Sequence, residues 1–216
     1  MSDTPLVRAL ETRLSEGDRL QSPSAARNRA VIAETLAQFL PPRARVVEIG
    51  SGTGEHAVSI CRARPDLVWQ PSDIDEAARR SQTAWSTECP GQIAPSVEID
   101  ASAERWSEEL GPIDAIFSAN VIHISPWAVA EGLAREGGRV LPPGGRLCLY
   151  GPFLNGADTA PSNLAFDESL KSRDPAWGVR DRQTVIDLMA QNGLESVAVI
   201  EMPANNHMLV FERRDG

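Results

Sequence analysis

The 216-residue sequence predicts an α/β, doubly wound fold built as a single domain, and three observations carry that prediction. Short apolar segments alternate with segments of helical spacing from Ala44 onward. The first of them runs into a glycine-rich turn, "VVEIGSGTGEH". The chain closes on two apolar segments joined by a turn. Alternating strand and helix signals mark a parallel sheet covered on both faces. The closing pair adds an antiparallel hairpin.

Each element has its own local reason. Residues 1–21 are polar and charged and are expected as an N-terminal arm, loose or a short helix. "SPSAARNRAVIAETLAQFL" is a helix that Ser22 or Ser24 can cap. Ala30, Ile32, Ala33, Leu36, Phe39 and Leu40 form its apolar stripe, and Pro41 and Pro42 stop it. "ARVVEIG" is a buried strand, with a helix from Gly52 to Arg64 after it. "DLVWQPSDI" is the second strand and "DEAARRSQTAWSTE" its helix. "IAPSVEIDA" and "IDAIFSANVIH" read as the third and fourth strands. "WAVAEGLAREGGRVL" is a helix, and the turn signal "PPGG" leads into the fifth strand, "RLCLYGPF". Residues 155–182 form a long polar segment, expected as a lid or substrate loop. "QTVIDLMAQNG" is the last helix, and "LESVAVIEMP" with "HMLVFERR" makes the hairpin and a total of seven strands.

Composition sets the bounds on function. Hydrophobic residues are 42% and charged residues 24%, the profile of a globular chain. No apolar run approaches the ~20 residues that span a bilayer. The N-terminus lacks the basic-then-apolar plan of a signal peptide. Cys61, Cys89 and Cys148 are scattered singly, which suggests neither a disulfide framework nor a zinc site and suits a reducing, cytoplasmic setting. The net charge of -9 argues against a broad phosphate-binding face, so a small or neutral partner is expected rather than nucleic acid or membrane.

Gly50, Gly52 and Gly54 let the chain turn sharply at a strand end and approach a ligand without interference from Cβ. The following helix offers free N–H groups and the positive end of its dipole. A dehydrogenase fingerprint wants glycine where Glu55 stands, and that acid is expected to crowd and repel a pyrophosphate. A zwitterionic methionine end with a sulfonium fits better, which points to S-adenosylmethionine. Glu48 is expected to hold the turn and to lend negative potential near the sulfonium. Asp73, with Asp75 beside it, ends the second strand where ribose hydroxyls need an acceptor. Asp100 ends the third, placed for an adenine amino group. Asn120 and His123 end the fourth. Ligands of open α/β sheets bind outside the carboxyl ends of the strands, and all these residues fall there.

In these residues the chain resembles class I S-adenosylmethionine-dependent methyltransferases. "VVEIGSGTGEH" is similar to that family's first motif, "PSDID" to its ribose acid and "EIDA" to its adenine acid. It further resembles one methyltransferase-like branch through "SPSAARNR", "RDPAWGVRD" and "NNHMLVFER", from about Pro23 to Arg213. The resemblance implies a Rossmann-like methyltransferase fold and its cofactor.

Methyl transfer by in-line displacement needs positioning above all. An oxygen or nitrogen nucleophile can also need a base, and His123 is the catalytic candidate; packing or capping is the competing role. His56 reads as a surface residue and His207 as structural. Three dispersed histidines give no reason to invoke a metal. Arg27 and Asn28, on the first helix, can hold the methionine carboxylate or an acidic substrate. Tyr150, Trp177 and Arg180, with Arg173, are candidates for a substrate pocket. Alternatively Tyr150 is core, Trp177 anchors its loop, and both arginines pair with Asp174 and Asp181. Asn205 and Asn206 read first as a turn. Two other classes stay open: a nucleotide-cofactor oxidoreductase, and a cofactor-binding regulatory protein without catalysis.

Overall fold

The computed structural model describes residues 13–214. Leu14–Glu16 (β1) and Arg19–Gln21 (β2) form a small antiparallel hairpin about Gly17, where a loose arm or helix is predicted. It is pinned to a helix far along the chain, Glu76–Ser86 (here α3; α1 and α2 are given below). The Arg19 guanidinium lies 4.8 Å from the centroid of the Trp85 ring and pairs with Glu88, and the Leu20 N–H donates to Ser81 Oγ. The first twelve residues of the expected arm lie outside the described residues.

Helix α1 spans Pro23–Leu36, with the Ser22 side chain capping the Ala25 N–H and Pro23 in its first turn. Ile32, Ala33, Leu36 and Leu40 are buried as the stripe requires, but Ala30 is exposed, one position off the buried face. Next come β3 (Arg45–Ile49), α2 (Glu55–Ala63) and β4 (Val68–Pro71), followed by α3. After β5 (Ala115–Ala119), a single 3-10 turn over Val121–His123 leads toward α4 (Ala128–Val140) and β6 (Arg146–Pro152). The chain ends with α5 (Pro161–Arg173), α6 (Arg182–Gln191), β7 (Leu194–Met202) and β8 (Asn206–Arg213).

The main sheet has the order β4-β3-β5-β6-β8-β7. The first four strands are parallel and β8 inserts antiparallel between β6 and β7. Six strands stand where seven are predicted. The expected third strand, residues 93–101, runs beside β4 and Ser72 through only two isolated bridges, Trp69 to Ile93 and Ser72 to Val97. Pro71 and Pro95 remove N–H groups from that pairing, which breaks the ladder. The expected long loop is also different: its middle, Pro161–Arg173, is the helix α5.

Period-two alternation sorts the sheet's side chains onto two faces. Phe117, Cys148 and Val210 pack with Ile32, Leu36 and Ile60 on the α1–α2 face. Ile116, Leu147 and Phe211 pack with Leu133, Val185 and Met189 on the α4–α6 face. The three cysteines are free and buried, and burial pushes the Cys148 thiol up to about 12, so it serves as a small apolar side chain. No helix among the described residues is long and apolar enough to cross a membrane.

Candidate functional site

β3 delivers the chain into the glycine turn. Gly50, Gly52 and Gly54 all take left-handed φ, at 67°, 56° and 93°, a region costly for any residue with a Cβ. The space a Gly50 side chain would need is filled by Val121, and that of Gly54 is closed by the Gln82 Cα at 3.0 Å. Among the described residues a Cβ on Gly52 would meet only the Arg13 guanidinium, at 3.6 Å, so this position is the open floor of a cradle.

The tip of β4 and the helix α3 hold the turn from outside. The Ser51 N–H donates to the Ser72 carbonyl at 2.8 Å, Gln82 Nε2 donates to the Gly52 carbonyl at 3.0 Å, and Ser81 Oγ donates to the Thr53 carbonyl. Asp73 accepts the Gly52 N–H on one oxygen and the Asp75 N–H on the other, each at 3.0 Å. Burial raises its pKa. Asp75 caps α3. The carboxylate read as a ribose acceptor thus also fixes the glycine turn. Gln82 and Arg13 escape a reading based on strand ends, because one lies mid-helix and the other in the N-terminal arm.

The two glutamates of the motif behave differently from expectation. Glu48 is buried and accepts the Trp69 indole N–H at 3.0 Å, while its backbone carbonyl, not its carboxylate, holds Ser72 Oγ. Burial raises its pKa from 4.5 to about 7, so a full negative charge near neutral pH is not assured. Glu55 points away from the cradle, toward α1. It accepts the Ser22 N–H and the Thr53 hydroxyl and pairs with Arg29 at 2.8 Å. Its charge is compensated there, so the expected repulsion of a pyrophosphate does not follow from this residue.

Glu48 supplies a pH test. Its folded pKa lies above its unfolded value, so the folded state holds the proton more tightly. The resulting stabilisation is complete below pH 4.5 and is lost as the pH rises toward 7. Glu48→Gln, which does not titrate, is therefore expected to gain on the native chain by about 2–3 kcal/mol between pH 5 and pH 8, the unpartnered amide hydrogens it introduces adding a constant offset at both. Thermal melts at both pH values measure this; a constant difference contradicts it.

The remaining predicted residues divide. Asp100 is exposed and uses Oδ1 on the Ser102 N–H and hydroxyl, with Oδ2 unused among the described residues. Asn120 takes a left-handed φ of 64° and donates its N–H to the Tyr150 carbonyl at 2.7 Å. Its carboxamide therefore sits at the tips of β5 and β6. Arg27 is exposed. Asn28 pairs with His56 Nε2 at 2.9 Å and hydrogen-bonds the Tyr150 hydroxyl, tying α1 to α2 and β6. His56 is accordingly half-buried, not a surface residue, with burial lowering its pKa to about 4. Tyr150 is core.

His123 is fully buried, and burial with the nearby Arg180 charge lowers its pKa to about 3. Nδ1 accepts the Arg180 N–H at 3.2 Å, so the proton of the neutral ring sits on Nε2. Nε2 has no partner among the described residues and faces Gly151, where an added Cβ would lie 2.5 Å away. A ring whose acceptor nitrogen is occupied and whose pKa is this low does not suit a general base; it suits a hydrogen-bond donor. Arg180 is its support. It donates to the carbonyls of Ile122, Ser125 and Ala176 and lies over the Trp127 ring, pairing with neither Asp174 nor Asp181. The substrate role expected of Arg180 gives way to clamping the turn after β5. Trp177 is half-buried beside this clamp.

Phe153, just past β6, stands edge-on to both His123 and His207, with centroids 5.1 and 6.3 Å away. Beyond it opens a cavity of about 330 Å³ where the tip of β6, the β7–β8 turn and the first residues of α5 and α6 meet. Arg182, Glu201, Asp158 and His207 line it, with Asn205 and Asn206 at the turn. His207 Nδ1 is buried with no partner among the described residues. Among those residues no group of His, Cys, Asp and Glu is arranged to hold a metal ion.

The profile of the family described as "Protein of unknown function (DUF938)" matches residues 19–213. The chain belongs to the DUF938 family. Ribosomal RNA small subunit methyltransferase G of Ralstonia nicotianae is 23% identical over 180 residues, covering 83% of this DUF938 chain and 66% of that protein. Its counterpart in Cupriavidus necator is 26% identical, covering 81% and 63%. Among solved structures, CalO1, a methyltransferase in calicheamicin biosynthesis in its SAH-bound form, aligns with a TM-score of 0.72 at 18% identity, over 88% of this chain and 54% of that one. An O-methyltransferase family 2 protein from Planctomyces limnophilus, in complex with apigenin, aligns with a TM-score of 0.70 at 19% identity, over 91% and 64%. The DUF938 chain therefore has the class I methyltransferase fold, and it spans about two thirds or less of the length of these relatives.

Proposed function

We propose that the protein is an S-adenosylmethionine-dependent methyltransferase acting on a small-molecule acceptor. The observation that carries this reading is the cradle over Gly52, open on its floor and edged by Asp73 from the adjacent strand tip, in a fold shared with methyltransferases. Gly50, Gly52 and Gly54 would let the cofactor approach the backbone, Asp73 would accept its ribose hydroxyls, and Asp100 and Asn120 would meet its base and the reacting end. Arg27 remains the candidate for its carboxylate. The cofactor would supply a methyl group on a sulfonium. The chain's own work is positioning: Arg180 fixes the turn after β5, and that turn fixes Asn120 and the His123 ring. Holding reactants near attack distance is worth several kcal/mol of barrier, on the order of 7 or more.

Calorimetric titration with S-adenosylhomocysteine and with NADH tests the reading. Binding of S-adenosylhomocysteine at one site per chain is expected; binding of NADH alone would overturn it in favour of an oxidoreductase. Mass spectrometry of a metabolite extract incubated with labelled S-adenosylmethionine would then reveal the acceptor. The donor role of His123 has its own readout. Nitrogen-15 NMR is expected to show a neutral Nε2–H ring that does not titrate between pH 5 and 8, and a midpoint near 6.5 would restore the general-base role.

A further inference from the structure

We propose that the cavity beyond Phe153 binds the methyl acceptor, and that this acceptor is a zwitterion of amino-acid or short-peptide size. The term acceptor rests on the methyltransferase reading; the binding of a zwitterion does not. The lining decides the chemistry. Ligand pockets are mostly apolar with a few polar groups, whereas here Phe153, Met202 and Ala160 are the apolar minority. A flat, lipophilic phenol would leave these polar groups without partners.

The charges are separated rather than paired. Arg182 donates from Nη2 to Asn155 Oδ1 at 2.6 Å, which leaves its other guanidinium donors directed at no carboxylate among the described residues. Asp158 and Glu201 are exposed at the rim and also lack ion-pair partners there. A carboxylate placed on Arg182 would gain the fork geometry that guanidinium offers, and an ammonium at the rim would meet Glu201 or Asp158. His207 lines the same cavity and lies within electrostatic reach of both Arg182 and Glu201, between the two ends. A volume of about 330 Å³ exceeds that of a bare glycine-like ligand and leaves room for a side chain or a second residue.

The site is also rigidly built. Asn163, buried in α5, donates to the carbonyls of Phe153 and Asn205 at 3.1 and 3.0 Å, so it joins the floor of the cavity to the β7–β8 turn. Ala204 and Asn205 in that turn both hold left-handed φ, at 58° and 57°. Strain of that kind persists where surrounding contacts impose it.

Saturation-transfer NMR on the full chain tests the proposal, with S-adenosylhomocysteine present. The probes are the free L-amino acids and glycyl dipeptides, with matched primary amines and N-acetylated acids as controls. Transfer is expected to zwitterions and not to probes carrying one charge. Arg182→Gln and, separately, the exposed Glu201→Gln are each expected to weaken that binding about tenfold or more, with the affinity for S-adenosylhomocysteine unchanged. Equal transfer to amines or acids, unchanged affinity in both variants, or no transfer to any zwitterion would overturn the proposal. Calorimetry on the same samples separates the two readings. Zwitterion binding without S-adenosylhomocysteine binding would keep the pocket and remove the methyltransferase.

Discussion

Gly132→Ala is expected to destabilise the protein by about 3 kcal/mol and to lower Tm by about 6–12 °C. Gly132 lies in α4 where the helix crosses the turn after residue 99. An added methyl would overlap the Ala101 carbonyl oxygen and lie 2.9 Å from its carbon and 3.4 Å from the Ser102 Cα. The obstacle is backbone, so no side chain can swing aside. Relief requires α4 to lift from the sheet, which exposes Ala130, Leu133 and Ala134, or the turn to move outward, which displaces Asp100. The second route would weaken cofactor affinity as well as stability. Differential scanning calorimetry, with a titration of S-adenosylhomocysteine on the same variant, separates the two. A stability change below about 0.5 kcal/mol would mean that the helix does not approach the turn this closely.

Asp73→Ala is expected to weaken S-adenosylhomocysteine binding by about 1–3 kcal/mol, roughly 5- to 150-fold. Two effects add. The substitution removes the acceptor proposed for the ribose hydroxyls, and it releases the Gly52 and Asp75 N–H groups that the carboxylate now holds. Freeing those donors loosens the glycine turn itself, so some thermal stability is lost in parallel. Affinity equal to that of the native chain would remove Asp73 from the cofactor site, whatever happened to Tm.

The sheet's centre and its ligand-facing turn were legible in the sequence because their determinants are local. An apolar strand, three glycines that need positive φ, a helix and an acid capping the next helix all lie within about thirty consecutive residues. What escaped is non-local or polar. In α5 the residues turned inward at helical spacing are Asn163, Asp167 and Leu170. Two of the three are polar and are buried for their hydrogen bonds: Asn163 donates to the Phe153 and Asn205 carbonyls, and Asp167 accepts the Val179 N–H. A hydrophobic period therefore does not mark that helix. The N-terminal hairpin carries a legible Gly17–Asp18 turn, but its strands have three residues each and gain their place from α3, sixty residues away. Glu55 and His123 show a different limit. Residue type gives charge and an ordinary pKa, whereas the partner that neutralises one and the burial that disarms the other come only with the tertiary fold.

The most direct test of the account is a crystal structure of the chain grown with S-adenosylhomocysteine. It predicts the ligand lying across Gly52, its ribose hydroxyls on the Asp73 carboxylate and its adenine toward the turn at Asp100. Density for the ligand elsewhere on the molecule, with the Gly50–Gly54 turn bare, would contradict it.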